Sequence, residues 1–447
     1  MSSAAHFTGV VSESHSYQTQ EIPSSLKSNN SAQAIRANNR HFQLATSSSS
    51  TQSSGGVLLW QIPPTNGAIS RETMFLRCRV STTGGSAAPA YASAADAVGF
   101  KGPGPVGTNY LPALSNGYSW IQRLTLYGTG SAVIDQMNYV NSTMDMLLAH
   151  NSNPAYVAGE GQTLMGIGRS WNANAAANGC YIDLCLPLPL SCFQNSSIDF
   201  PMYLNRNPMT LQLDISSFAR GVTVGGVTLG TDFQISNAYL CYEVLEVPHS
   251  LIEAERSAVQ GGHPFIMPLA SWLNVQVPES VLSSYTLGLN ASSLRSVYIS
   301  TLSATSYVSG TAIQYSRNTT DASTNYGSGI NAQLYLDGNV KNSSIFDTPV
   351  IQLIELKQAL HNNIQSSVLM PSVSTFATYL ANYFALGFDC TSFDDEATIF
   401  GGSPVSNVNI QLTGFGNVSS GATIANVMCL YDTLLAFSQD GVMEVKR

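Results

Sequence analysis

The sequence predicts an all-β chain with two tandem jelly rolls (a double jelly roll), each of eight strands and each with a short helix. Three observations support this prediction: apolar runs of strand length separated by Gly, Pro, Ser and Asn, a charged share of only 10%, and an order of segments that occurs twice along 447 residues. Charged residues usually make up about 25% of a soluble domain. The low share therefore favours a β protein that covers much of its surface with neighbours.

The composition changes along the chain in a way that predicts its domains. The first stretch is rich in Ser, Asn and Gln and nearly free of apolar runs, which is typical of an extended arm. Near the middle, the helical run LIEAERSAVQ is stopped by Gly261, Gly262 and Pro264, which marks a linker. The predicted order is an extended N-terminal arm, jelly roll 1, a short helical linker and jelly roll 2, at residues 1–55, 56–250, 251–263 and 264–447.

Two strand-like segments at the ends of the two halves are nearly the same. ISNAYLCYEVLEV covers 235–247 and IANVMCLYDTLLAF covers 424–437. Four residues of the first segment match residues 189 positions later; these pairs are Asn237 with Asn426, Tyr242 with Tyr431, Glu243 with Asp432, and Leu245 with Leu434.

Three further matches occur in the same order. They pair LTLYG (124–128) with LYLDG (334–338), His150-Asn151 with His361-Asn362, and MTLQLDI (209–215) with VNIQLTG (408–414). Each half also has one helix-like stretch between its first and last matches, at 137–150 and 348–363. The number of residues that separates the two members of a match changes from one match to the next, as loop insertions between matched elements would cause. This favours a duplication. Many short strands, uneven loops and one helix per half favour jelly rolls over immunoglobulin sandwiches or up-and-down barrels.

Charge and cysteine content exclude several classes of function. The net charge is −9, and the first 55 residues contain only Lys27, Arg36 and Arg40 as cations, so we expect no direct or sequence-specific binding of nucleic acid. The cysteine count is seven, with no C-x-x-C pair, which predicts reduced thiols in a reducing compartment and no zinc site. The start of the chain has no signal-peptide pattern and no run of about 18 apolar residues occurs, so we expect the N-x-S/T triplets to be unmodified.

No constellation of residues predicts catalysis, cofactor binding or a metal site. GPGPVG (102–107) satisfies G-x-G-x-x-G but carries two prolines in a loop context, and GEGQTLMG lacks the Lys-Ser/Thr of a phosphate loop. The seven histidines are scattered, and His150 and His361 are interpreted as cations at helix ends. Asp394-Asp395-Glu396 is the densest acidic cluster; a solvated loop is favoured there, with calcium at a subunit contact as the alternative.

Four segments resemble the major capsid proteins of double-stranded DNA viruses with two jelly rolls, and the resemblance is best over residues 119–260. SWIQRLTLYGTGSAVIDQMNYVNSTMDMLL has a strand, a Gly turn and the pair Ile134-Asp135 before a helix. LCLPLPLSCF and FPMYLNRNPMTLQLDI resemble the paired central strands of that family, and AYLCYEVLEVPHSLIEAERSA resembles the end of its first jelly roll, with Glu255-Arg256 in a short helix. The resemblance does not distinguish among the lineages of this family, and it is consistent with the nucleocytoplasmic large DNA virus, adenovirus-like, virophage and polinton-like members.

The resemblance implies a structural protein of the virion, made in the host cell cytoplasm, and no enzyme. Three chains would form a homotrimer with six similar barrels, and this pseudo-hexameric trimer would tile an icosahedral shell. The implied partners are neighbouring capsomers, penton and minor capsid proteins, and an inner membrane beneath the shell. The arm would tie trimers together from below.

Two other structural classes remain as alternatives to this interpretation. The first is a capsid protein of a small virus with one shell jelly roll and one projecting β domain, which usually carries a basic arm. The second is a two-domain lectin-like β-sandwich binding protein, which should carry a secretion signal or paired cysteines. An enzyme is the least favoured class.

Overall fold

The structure is a computed structural model, and it describes the chain in segments. These are residues 40–82, 110–112, 117–151, 156–166, 172–174, 179–194, 198–217, 222–224, 233–279, 282–303, 331–341, 349–364, 384–391, 401–413, 423–438, 441 and 443–446. Residues 1–39, the GPGPVG loop and Asp394-Asp395-Glu396 lie outside the described residues, so their predicted roles stay predictions.

The first half contains thirteen strands in the described residues. They are β1 (Arg40–Thr46), β2 (Thr51–Ser53), β3 (Val57–Ile62), β4 (Gly67–Ile69), β5 (Phe75–Thr82), β6 (Tyr110–Pro112), β7 (Ile121–Tyr127), β8 (Val133–Asn138), β9 (Asn172–Asn174), β10 (Gly179–Pro187), β11 (Met209–Ile215), β12 (Val222–Val224) and β13 (Phe233–Glu246).

Ten more strands and five α-helices complete the described elements. The strands are β14 (Phe265–Glu279), β15 (Leu282–Leu287), β16 (Ala291–Ser303), β17 (Asn331–Leu336), β18 (Asn339–Val340), β19 (Ala385–Asp389), β20 (Ser403–Val405), β21 (Val408–Thr413), β22 (Thr423–Phe437) and β23 (Met443–Lys446). The helices are α1 (Val140–Asn151), α2 (Gln162–Met165), α3 (Ser191–Gln194), α4 (His249–Gln260) and α5 (Pro349–Ile364).

The first half is a jelly roll. Its principal sheets have the orders β1-β13-β5-β10 and β3-β11-β7-β8, and every pairing in them is antiparallel. If these eight strands are numbered one to eight along the chain, the orders are 1-8-3-6 and 2-7-4-5. In a jelly roll of two Greek keys, successive strands alternate in this way between two packed sheets, except that strands four and five are neighbours in one sheet.

The second half has the same topology. Its sheets have the orders β14-β22-β16-β19 and β15-β21-β17-β18, which give 1-8-3-6 and 2-7-4-5 again when the eight strands are numbered along the chain. The predicted fold of two tandem eight-stranded jelly rolls is therefore confirmed. A projecting domain of another β fold in the second half is excluded by this strand order.

Period-two patterns in the strands build the core of each roll. In β11, MTLQLDI alternates buried and half-buried residues, and in β3, VLLWQI alternates exposed and buried ones. Trp60 pairs with Leu211 between these strands, and both side chains are buried. Alternation lets a strand cover the core with one face while its other face meets a neighbour or solvent.

The matched segments occupy the same strands of the two rolls. LTLYG and LYLDG lie on β7 and β17, the fourth strands, and the segments with Tyr242 and Tyr431 lie on β13 and β22, the eighth. Both tyrosines are buried. Asn237 and Asn426 differ: Asn237 sits at a bulge with a φ of 51° and is exposed, whereas Asn426 is fully buried. That match in sequence is not a match in structure.

Two sequence-based boundaries are corrected by the structure. The helix expected at 137–150 begins at Val140, because Met137 and Asn138 still pair with β7 as the end of β8. The arm expected at 1–55 overlaps β1 and β2, whose seven- and three-residue pairings with β13 place residues 40–53 in the sheet. The composition of this stretch hides β1, because most of its side chains are exposed even though its backbone is paired.

Candidate assembly interface

The two jelly rolls contact each other along an edge of each. The strand β8, at the end of one sheet of the first roll, packs against β14, at the end of one sheet of the second roll. Asn274 on β14 is buried and donates from Nδ2 to the carbonyl oxygen of Asn138 at 2.8 Å and to Thr143 Oγ1 at 3.0 Å. Because these groups are withdrawn from water, breaking either bond leaves a buried polar atom unpaired.

A second polar contact joins the helices of the two rolls. Lys357 on α5 donates from Nζ to the carbonyl oxygen of His150 at 2.6 Å. Burial lowers the pKa of Lys357 to about 8. His150 lies in the last turn of α1, as expected, but the cation at this helix end comes from the other roll. His361 is three residues before the last residue of α5, and its side chain lies outside the described part of the chain.

A row of phenylalanines continues the core across the junction. Phe193 and Phe200 belong to the first roll and have ring centroids 5.3 Å apart. Phe200 is 5.8 Å from Phe437 at the end of β22, and Phe437 is 5.9 Å from Phe265 at the start of β14. Such tilted and edge-to-face pairs add to the gain from burial alone. The two rolls thus share a continuous apolar core.

The Ile134-Asp135 pair lies at this junction. Asp135 is buried on β8, and the backbone N–H of Ser191 donates to its Oδ2 at 2.6 Å at the start of α3. Burial raises the pKa of Asp135 to about 6, against the opposing effect of the hydrogen bonds from Ser191, Gln136 and Cys192. Because α3 in turn contacts β14, Asp135 fixes a turn against which the second roll packs.

The Glu255-Arg256 pair anchors the connecting helix α4 to the first roll. The hydroxyl of Tyr203 donates to Glu255 Oε2 at 2.6 Å. Arg256 donates from Nε and Nη2 to the carbonyl oxygen of Tyr203 at 2.9 and 2.7 Å. Two neighbouring residues of α4 therefore hold one tyrosine by its side chain and its backbone.

The matched acidic residues of the repeat have different environments. Asp432 is buried, accepts a hydrogen bond from Ser293 Oγ at 2.5 Å and pairs with Arg295 Nε at 2.7 Å. Burial raises the pKa of Asp432 to about 6, while Arg295 acts in the opposite direction. Glu243 instead is partly exposed and lies 3.5 Å from Arg40 on β1. The two matched residues thus carry the same charge but have different partners and different burial.

Each roll has one sheet that contains its strands one and eight, β1-β13-β5-β10 in the first roll and β14-β22-β16-β19 in the second. The outer faces of these two sheets differ in how far their side chains are exposed. On the second roll, side chains such as Trp272, Tyr298 and Met428 are buried on this face, because β8, α1 and α5 lie near it. On the first roll the corresponding face is open: Phe42 is 63% exposed and Leu44 is 53% exposed. We call this surface, lined by Phe42, Leu44, Arg77, Asp183, Cys185 and Tyr239, the open face; most of these residues line a groove of about 760 Å³.

The second roll exposes apolar side chains between β18 and the middle of α5. Val340 is 48% exposed, Val350 is 40% exposed and Ile354 is 50% exposed. We call this set the α5 edge. In the first roll the matching segment, from β8 to α1, contacts the second roll; apart from the exposed Val133, its described side chains are buried or half-buried. The α5 edge is thus uncovered where the first roll's segment is covered.

Potential chemical sites form no constellation in the part of the chain that the structure describes. No three His, Cys, Asp or Glu side chains cluster as metal ligands among those residues. The six cysteines whose side chains are described are unbridged, and burial raises the thiol pKa of Cys429 to about 12. GEGQTLMG forms the helical turn Val157–Gly161 and α2. Within the described segments, no helix has both the length and the apolar content needed to cross a membrane.

Comparison with known proteins finds similarity at the level of structure. No protein-family model and no curated protein matches the sequence. Over 92% of this chain and 97% of the other, the structure is similar to a protein in the PBCV-1 virus capsid, with a TM-score of 0.59 and 14% identity. The Faustovirus major capsid protein matches 90% of this chain and 91% of its own, with a TM-score of 0.59 and 9% identity.

The mavirus major capsid protein gives a similar result. It covers 93% of this chain and 92% of its own, with a TM-score of 0.51 and 11% identity. At these identities the likeness shows the fold. It extends over both rolls, in agreement with the strand orders, so the chain has the fold of these double jelly-roll major capsid proteins.

Proposed function

We propose that this chain is a structural major capsid protein that trimerises into pseudo-hexagonal capsomers tiling an icosahedral viral shell. The observation that supports it most is the identical strand order of two jelly rolls that contact each other along an edge of each within one chain. Solved structures of the same fold, over nearly the full length, are viral capsid proteins.

Duplication explains how one chain suits a hexagonal lattice. Two similar rolls per chain give six in a trimer, so a three-fold particle presents an outline close to six-fold. Closed rings form when a head-to-tail contact repeats with the right rotation. The low charged share of 10% fits a chain whose sides are buried against other chains.

The proposal extends to partners and location. The partners are two further copies of the chain, neighbouring capsomers, penton and minor capsid proteins, and an inner membrane; the protein resides in the virion shell. It acts without catalytic residues, cofactor or metal. The division into an arm, a first roll, a linker at 251–263 and a second roll at 264–447 is part of this proposal, with the arm shortened to the residues before β1 and the first roll extended to 40–250.

The test is the mass of the purified protein by light scattering, followed by negative-stain imaging. We expect a particle of three times 47.6 kDa with a hexagonal outline. A monomer at micromolar concentration, or particles without hexagonal bricks, would reject the proposal. Mass alone does not separate a capsomer from another trimer, so the outline is the deciding result.

A further inference from the structure

We infer that the open face of the first roll binds the α5 edge of the second roll of another copy of this chain. This inference rests on the proposed function, since it names the surfaces through which the trimer would form. It concerns Phe42 and Leu44 on one side and Val340, Val350 and Ile354 on the other.

The first step is that the chain already contains one example of this contact. Within the chain, β8 and α1 of the first roll contact β14 and β22 of the second. In the common jelly-roll numbering, β8 is strand five, β14 is strand one and β22 is strand eight. The contact is therefore heterologous: strand five and the following helix of one roll meet strands one and eight of the next.

The second step is that each roll also has the surface that the other roll uses in this contact, and that the chain leaves both of these surfaces uncovered. The first roll has its own strands one and eight, β1 and β13, and the second has its own strand five and helix, β18 and α5. A heterologous contact that leaves both complementary surfaces free can repeat between copies. The same contact, made from β18 and α5 to β1 and β13 of a second copy, uses both.

The third step is the exposure of the unused surfaces compared with the used ones. Six of the seven residues of β1 are exposed, whereas none of the described side chains of β14 is exposed. Both residues of β18 are exposed, whereas Val133 is the one exposed residue among the six of β8. Equivalent strands of the two rolls thus differ in exposure. This difference is expected if the contact is made once within the chain and once more between two chains.

The fourth step is the chemistry of the two surfaces. Exposed apolar side chains occur singly on most soluble proteins, but contiguous ones mark contact sites. Phe42 and Leu44 are adjacent on one face of β1, and Phe42 lies 6.1 Å from Phe75 between ring centroids. Val350 and Ile354 are one turn apart on α5, so they lie on the same side of the helix. An apolar patch on each partner fits a second copy better than a charged ligand.

The test uses charge substitutions on the two surfaces with a matched control. Leu44→Glu and Ile354→Asp should each convert the trimer to monomers that keep the circular dichroism of the wild type. Val57→Asp changes an exposed apolar residue of β3 outside both surfaces and should leave the trimer intact. A wild-type monomer would reject the proposed function as well, whereas trimers that persist in both surface variants would reject this inference alone.

A second measurement does not depend on those variants being well behaved. Cys185 is half-buried on the open face, and in the wild-type trimer it should resist alkylation by iodoacetamide. In the Ile354→Asp variant, although the substitution is on the other roll, Cys185 should become reactive because the covering copy has left. If Cys185 remains protected in a monomeric variant, a segment of its own chain covers the face. If it reacts freely in the wild-type trimer, the face is not an interface.

Discussion

The ammonium group of Lys357, on the second jelly roll, donates a hydrogen bond of 2.6 Å to the carbonyl oxygen of His150, in the last turn of the first roll's helix α1. The side chain of Lys357 reaches a buried position to do so. This contact ties the end of α1 to the middle of α5.

The Lys357→Met substitution should weaken the junction between the rolls. It keeps the length of the side chain but removes the donor, so the carbonyl of His150 loses its partner. We expect the free energy of unfolding to fall by about 1–3 kcal/mol, measured by denaturant titration. Gln358→Met, on the exposed side of the same helix, is the control and should change stability by less than about 0.5 kcal/mol. Equal effects of the two substitutions would contradict this prediction.

Asp135 should make stability depend on pH. Burial raises the pKa of Asp135 to about 6 from its ordinary value of 3.8, so between these pH values the folded state binds more protons than the unfolded state. The contribution of Asp135 to the free energy of unfolding is therefore complete below pH 3.8 and is lost as the pH rises through about 6. Relative to wild type, Asp135→Asn should gain about 2 kcal/mol between pH 4 and pH 7.

The control for the pH prediction is the exposed Asp183. Asp183→Asn makes the same substitution on the surface of the first roll, at a side chain that is 52% exposed and paired with Arg79. The measurement is denaturant unfolding of wild type, Asp135→Asn and Asp183→Asn at pH 4 and pH 7. It separates the effect of protonating Asp135 from the effect of protonating exposed carboxylates. A constant difference between Asp135→Asn and wild type across this range would show that Asp135 is not the responsible group.

Tyr203→Phe should loosen the connecting helix α4 without disturbing either core. The substitution removes the hydroxyl that donates to Glu255, while the carbonyl that binds Arg256 remains. We expect a loss of about 1 kcal/mol and faster amide hydrogen exchange in His249–Gln260. Tyr335→Phe, which removes a hydroxyl bonded to Gln333 within the second roll, should leave exchange in α4 unchanged. Unaltered exchange in Tyr203→Phe would show that Arg256 alone anchors the helix.

Two N-terminal truncations should have different effects. Removing residues 1–39 leaves β1 in place, so the fold and trimer should persist while assembly of trimers into shells is impaired. Removing 1–53 deletes β1 and β2, which pair with β13 over seven and three residues, and should lower the thermal midpoint. Scanning calorimetry and negative-stain imaging measure these effects. Equal thermal midpoints for the two truncations would show that β1 contributes little to the sheet.

The sequence by itself determined the class of fold and its repetition. Period-two runs such as MTLQLDI show which side chains face a core, and matched segments around Tyr242 and Tyr431 identify equivalent last strands, because local patterns record burial and chain order. The positions of α1, α4 and α5 were predicted to within a few residues for the same reason, whereas the one-turn helices α2 and α3 were not predicted. The pairs Ile134-Asp135 and Glu255-Arg256 were visible as a resemblance, without their bonding partners.

Only the tertiary structure decided which surfaces are used and which are open. The strand β1 was taken for part of an arm, because nothing local shows that Arg40–Thr46 pairs with a strand some 200 residues later. The role of Lys357 likewise depends on a helix end in the other roll. Asn237 and Asn426 share a place in the repeat, yet one is an exposed bulge and the other is buried. Burial by a distant segment is a property of packing, and sequence patterns alone do not encode which neighbour supplies it.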